Sequence, residues 1–184
     1  PDTPVDAEVK YKKNLLNAYD NSVRYTDNFL ARVIHLLQDR GIDAAMLYTS
    51  DHGEDIFDDD RHLFLHASPV PSYYQIHVPF LVWMSDSYKE TYPALLEAAR
   101  SNRQKEISSS SSFFQTMLEL GGIETPYRND SLSVVNALFT EKQRVYLNDH
   151  NEARSLDDIG MCKEDFEMLD QKGIQYTGGK VSRY

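Results

Sequence analysis

Positive charge is scarce in this chain. Lysine and arginine number 19 against 29 aspartates and glutamates, leaving a formal charge of −10 at pH 7 over 184 residues. That acidic excess argues against nucleic acid, and against an anionic membrane surface, as a direct partner of this piece, because both are bound through clustered cations. It is compatible with cation binding. Cysteine is scarcer still: Cys162 stands alone, so no internal disulfide can form, and a single thiol says little about redox compartment. No apolar run approaches the ~18 residues that would suggest a membrane-crossing helix, and no signal peptide is visible. The first residue is Pro1 and not methionine, which reads as a fragment or a processed product. Internal repeats are absent. What remains is the composition of one sizeable domain, long enough to bury a core.

The chain is organised around Met46-Leu47-Tyr48-Thr49-Ser50-Asp51-His52-Gly53-Glu54. A short apolar run, long enough for one buried strand, breaks into two metal-ligand types, a glycine and another carboxylate. Successive side chains on a strand face opposite ways, so Asp51 and His52 can share a metal only if the backbone leaves extended structure there. Gly53, with no Cβ, is expected to permit that turn. In α/β sheets ligands bind beyond the carboxyl ends of strands, where this polar cluster falls. The plainer alternative is a solvated acidic loop with one incidental histidine.

Around this stretch the pattern is mixed. From about Glu8 to Gln38, Leu16, Tyr19, Val23, Thr26, Leu30, Val33 and Leu37 recur at steps of three and four, predicting one face of a long helix, which Arg40-Gly41 stops. Ala44 to Ser50 is the strand. The loop to Pro71 contains Asp58-Asp59-Asp60, but an EF-hand reading fails: counting from Asp55, the sixth position is Asp60 where glycine is needed and the twelfth is His66 where glutamate is needed. Pro79 to Met84 predicts a second buried strand. A strand, long loop and strand without an intervening helix is unusual for a βαβ unit, so the two strands need not be sequential neighbours. A helix is predicted over Tyr88–Arg100. Another follows Ser108–Ser112, which reads as its N-cap region, and ends at Gly121-Gly122. Strands are predicted around Leu132–Leu138 and Arg144–Asn148, and a short helix over Glu164–Lys172. Pro1 to Val5 reads as a frayed start.

Beyond Glu54 come Leu65-His66-Ala67-Ser68-Pro69, then Gln75-Ile76-His77-Val78-Pro79 leading into Phe80-Leu81-Val82-Trp83-Met84-Ser85. In this order the segments resemble the catalytic domain of lipid A phosphoethanolamine transferases, within the wider sulfatase and alkaline-phosphatase-like superfamily. That family carries Ser-Asp-His-Gly-Glu at a strand end, then Leu-His-Gly-x-Pro, then Gln-x-x-Val-Pro before another strand. Ala67 stands where the family has glycine. Tyr19 to Asp27 resembles the family's Tyr-x-Asn-x-x-x-Tyr-x-Asp helix, which would set Asn21, Tyr25 and Asp27 behind the site, but helix packing and surface polarity are the favoured account of them. The resemblance covers about residues 14–149 and leaves 150–184 an unassigned tail, so residues 1–184 read as the C-terminal part of a sulfatase-like catalytic domain.

The resemblance implies an α/β fold with an alkaline-phosphatase-like sheet flanked by helices. It implies zinc, one or two ions, with another divalent metal as the alternative; Asp51 and His52 are the ligands and Glu54 stands near the metal cluster, either as a weak ligand or behind one. His66 matches a histidine that faces the phosphoryl group or a second zinc, and it is the candidate catalytic residue. His62 and His77 match no family histidine; His35, His150 and Cys162 are assigned no role. The family's nucleophile is a threonine upstream of everything here, as are a further metal glutamate and another histidine; Thr49 and Ser50 match neither. The implied activity is transfer of phosphoethanolamine from a phospholipid donor to lipid A or a related envelope glycan, at the periplasmic face of the bacterial inner membrane. The implied partner is a missing N-terminal half with membrane helices. The alternatives are a sulfatase or other phosphoesterase fragment, and a non-catalytic remnant. A sheet cut within its domain is further expected to leave an unpaired edge and an uncovered apolar face.

Overall fold

A computed structural model describes residues 7–66, 71–143, 145–147, 152–155, 163–171 and 173. The frayed start, Ala67 to Pro69, His150 and Cys162 lie outside them. A 3-10 turn, Val9–Tyr11, leads into the long helix α1 (Lys12–Asp39), which ends at Gly41 in the left-handed region with its N–H on Gln38 O. The predicted face is only partly covered: Leu16, Thr26, Leu30, Val33 and Leu37 are half-buried, but Tyr19 and Val23 remain exposed and no residue of α1 is buried.

β1 (Ala45–Thr49) pairs antiparallel with the strand Phe80–Met84, from Ala45 opposite Met84 to Thr49 opposite Phe80. The two strands predicted from sequence are therefore direct neighbours. The long polar loop serves as the connection, because it folds into a small unit of its own: β2 (Asp55–Ile56), β3 (Phe64–Leu65) and the short helix α2 (Tyr73–Ile76). Phe80–Met84 is thus β4. Ser85 locks its end: its N–H donates to Ala44 O, its hydroxyl accepts from the Ala44 N–H, and it caps α3 (Asp86–Thr91) by accepting from the Tyr88 N–H. The single helix predicted over Tyr88–Arg100 is two. Tyr92 precedes a proline and leaves helical geometry, and Pro93 opens α4 (Pro93–Asn102), where its missing N–H costs nothing.

α5 (Ser109–Leu120) follows the serine run as predicted, although the Ser108 side chain makes no capping bond. The strand predicted at Leu132–Leu138 does not form. Its start is a 3-10 turn, Asp130–Leu132, and its backbone is bound by side chains instead of a partner strand: Val134 N–H donates to Thr116 Oγ1, and Asn102 Nδ2 donates to Val134 O and Asn136 O. Adjacent Val134 and Val135 are both buried, which an alternating strand with one buried face forbids. With Met84, Tyr88 and Phe139 they form the main apolar core. β5 (Val145–Leu147) pairs with β6 (Ala153–Ser155), and α6 (Lys163–Gln171) packs Phe166 and Leu169 on Tyr73 in a second core. Part of the tail without an assigned role is therefore built into the domain.

Candidate metal centre

β1 ends at Thr49, and the chain turns at once. Ser50 Oγ donates to His52 O at 2.8 Å, and the His52 N–H donates to Asp51 Oδ1 at 3.0 Å, folding the Asp-His pair back so that Asp51 Oδ2 and His52 Nε2 stand 3.7 Å apart. The Asp51 carboxyl is 86 % exposed. Its pKa lies below the usual carboxylate range, first because the His52 N–H bonds it and further because of the His52 imidazole, so it is an anion ready for a cation.

Gly53 is needed here for space. Its φ is not positive, but a Cβ would lie 1.9 Å from Tyr74 O, and its N–H donates to Gln75 O at 2.8 Å. The expectation that this glycine serves the turn through free φ is corrected: it lets α2 press against the Asp-His turn.

The β2–β3 pairing sets Asp55 opposite Leu65, which brings the flanking Glu54 and His66 side by side. His66 Nδ1 lies 2.9 and 3.1 Å from the two Glu54 oxygens, and Leu65, at φ 64°, aims the histidine. The His52 and His66 ring centroids are 3.9 Å apart, and one ligand atom from each of His52, Glu54 and His66 falls within 4.8 Å of the others. His52 Nδ1 is 3.0 Å from Gly53 O. A carbonyl only accepts, so Nδ1 carries the proton and Nε2 keeps its lone pair. For His66 a proton on Nδ1 donated to Glu54 gives the same tautomer, the carboxylate–histidine pairing that orients metal-binding imidazoles. Two imidazoles and a carboxylate are ligand types that suit zinc.

The remaining sequence candidates fall elsewhere. Asn21, Tyr25, Asp27 and His35 are exposed on α1, His62 is exposed in the β2–β3 loop, and His77 stacks on Tyr73 with its Nδ1 2.7 Å from the hydroxyl.

Sequence reading missed the support beneath the cluster. Asp55 is 2 % exposed and accepts from Ser72 Oγ at 2.5 Å and from Gln75 Nε2. Burial raises its pKa, against the pull of those two bonds. Ser72 also caps α2. Gln75 belonged to a recognised motif, and its work is now visible: the side chain holds Asp55 while its carbonyl holds Gly53. Arg61 grips Asp59 with Nε at 3.0 Å and Asp165 of α6 with Nη1 and Nη2 at 3.0 and 2.9 Å. No local signal marks that last contact, which joins residues 104 apart in sequence.

The mixed helix-and-sheet fold is of the alkaline-phosphatase-like class of the solved periplasmic domains it resembles. Within it the chain belongs to the sulfatase family, whose model matches residues 1–123. Among its relatives, the phosphoethanolamine transferase EptA of Escherichia coli (strain K12) is 32% identical over 120 residues, which cover 63% of this chain and 22% of that protein. The Kdo(2)-lipid A phosphoethanolamine 7''-transferase of the same strain is 40% identical over 89 residues, 47% of this chain and 15% of that protein. The fold is that of the C-terminal periplasmic domain of EcEptC from Escherichia coli, solved as a complex with Zn: TM-score 0.73 at 24% identity, over 95% of this chain and 46% of that domain. The chain thus spans less than a quarter of the curated relatives and less than half of the solved domain.

Proposed function

We propose that this chain supplies the Asp-His side of a zinc-centred phosphoryl-transfer site. The whole protein would move phosphoethanolamine from a phospholipid donor to lipid A or a related envelope glycan at the periplasmic face of the bacterial inner membrane. The observation that carries the reading is the facing pair of imidazoles, each with Nδ1 tied to an oxygen acceptor, at the mouth of β1. Asp51 and His52 would hold one ion, with Glu54 the ligand available to a second. Bound zinc supplies positive charge for the non-bridging phosphoryl oxygens and keeps a position open for substrate. His66 is the catalytic residue of this reading. Its Nε2 meets the phosphoryl group while Glu54 fixes its tautomer and orientation.

Substrate class comes from the relatives, whose names specify phosphoethanolamine and lipid A, and the metal from the zinc complex of the similar domain. The nucleophile is assigned to sequence outside these residues. Thr49 Oγ1 donates to Ser50 O and Ser50 Oγ to His52 O, so both local hydroxyls are engaged in shaping the turn. Residues 1–184 are accordingly the C-terminal part of the catalytic domain, and an N-terminal half with membrane helices completes the protein.

The test uses the full-length protein, with zinc content measured beside transfer from phosphatidylethanolamine to lipid A by mass spectrometry. Zinc and the modified lipid are expected, and His66→Ala is expected to lower the rate by about 10²–10⁴-fold, the usual scale for a positioned acid–base group. Release of free phosphoethanolamine without acceptor modification would favour a phosphoesterase. Zinc with no turnover of either kind would favour a remnant.

A further inference from the structure

Among the described residues the tail helix α6 makes no hydrogen bond or ion pair with a candidate ligand, yet it is bonded to both segments that hold them. Asp165 is 1 % exposed. Its carboxylate takes the paired Nη1 and Nη2 donors of Arg61, and Oδ1 also accepts the Tyr73 N–H at 2.9 Å. Arg61 sits in the loop between β2 and β3, whose flanking residues are Glu54 and His66. Tyr73 opens α2, whose Gln75 carbonyl receives the Gly53 N–H and whose Gln75 side chain holds Asp55. Phe166 and Leu169 close the other side by packing on Tyr73. One buried carboxylate on α6 therefore joins the hairpin that presents Glu54 and His66 to the turn that presses on the Asp-His loop.

We propose that Asp165 is a positioning residue: through Arg61 and the Tyr73 N–H it makes α6 a brace that fixes Gly53, Glu54 and His66 relative to one another. A fork of charge-assisted hydrogen bonds suits that task, since it sets direction as well as distance. In its zinc arm the proposal rests on the zinc-site reading under Proposed function; in its structural arm it does not.

The test is residue-resolved amide exchange on the full chain without metal, comparing wild type, Asp165→Asn, Asp165→Ala and the exposed α6 control Glu167→Gln. Asp165→Asn keeps the volume but turns an N–H toward the guanidinium in place of an accepting oxygen. The Gly53 amide is expected to exchange about tenfold faster in both Asp165 variants, as local opening predicts. The Ser85 amide, bonded to Ala44 O beside the other core, should stay within about twofold, and Glu167→Gln should change neither. Zinc affinity of the full-length protein should fall about tenfold with Asp165→Asn, the lower end for lost support of a ligand. Unchanged Gly53 exchange in Asp165→Asn overturns the brace. So does equal acceleration at Gly53 and Ser85, which would make Asp165 a general stability residue. Should Asp165→Ala not fold, Asp165→Asn alone decides. If the exchange pattern holds while wild-type protein binds no zinc, the brace stands and the metal reading falls.

Discussion

The two cores of this domain are built by different physics. Around Met84, Tyr88, Val134, Val135 and Phe139 the contacts are apolar, and the polar groups present, such as Asn102 and Thr116, serve to satisfy backbone. Around Tyr73, Phe166 and Leu169 the apolar cluster is small, and much of the fastening is done by Asp55, Arg61, Ser72, Gln75 and Asp165. Burial of apolar area is strong but non-directional, so it suits a platform for β1 and β4. Hydrogen bonds add little net stability each but fix geometry, so they suit the end of the domain that has to hold imidazoles in one orientation. The difference divides the labour: one core supplies apolar burial, and the other fixes geometry beside His52, Glu54 and His66.

Breaking the apolar core should give the largest effect. Phe139 is almost fully buried, and Phe139→Ala is expected to cost about 3–5 kcal/mol through lost transfer energy and a residual cavity, read by urea unfolding. The loss should be global, with Ser85 and Gly53 amides losing protection together. Confinement of the loss to one end would mean that the two cores unfold independently, each a cooperative unit of its own.

Gly53→Ala tests the junction between strand and site. A methyl group would meet the Tyr74 carbonyl, which is backbone and cannot swing aside. The cost expected is about 1–3 kcal/mol, the range for overpacking, with the ligand turn displaced and the Gly53–Gln75 bond lost. A variant of wild-type stability and unchanged metal affinity would show that α2 can retreat without disturbing the turn.

How much of this was legible in the sequence follows the same division. The apolar period of α1, the runs at β1 and β4 and the serine-led start of α5 are local signals, and each element formed close to its expected place. Motif order pointed to Asp51, His52, Glu54 and His66; His52, Glu54 and His66 lie together, while Asp51 stands against His52 and outside that group. What escaped was everything decided at a distance. Val134 and Val135 look like strand residues, and only the side chains of Thr116 and Asn102, waiting elsewhere, turn them into a loop. β1 and β4 pair because the intervening loop folds on itself, which no period announces. Asp55 and Asp165 read as ordinary acidic residues in an acidic chain, since nothing local distinguishes a buried carboxylate from a solvated one. Gln75 carried a signal, but its partners did not.

The mildest test sets two carboxylates of the polar region against each other. Asp55 has its pKa raised, chiefly by burial. The folded state therefore holds its proton more tightly than the unfolded chain, and the stability this contributes is full below the unfolded value, ~3.9, and lost as pH rises through the folded one. Asp59 has its pKa lowered, first by its bond from Arg61. Its contribution is present above ~3.9 and lost as pH falls through the folded value. The two windows meet at the unfolded value, so the pair's contribution to wild-type stability should be greatest there and fall on either side of it. Asp59→Asn removes the fall on the acid side and should leave this pair's contribution declining only as pH rises above the unfolded value. Asp55→Asn keeps an oxygen for Ser72 or Gln75, removes the fall on the other side, and should make the protein comparatively more stable at neutral than at acid pH. Urea unfolding of the two variants across that range reads both signs directly. If the two profiles tilt the same way, buried Asp55 is ionised at no cost, and the polar core is better solvated by its own hydrogen bonds than its burial implies.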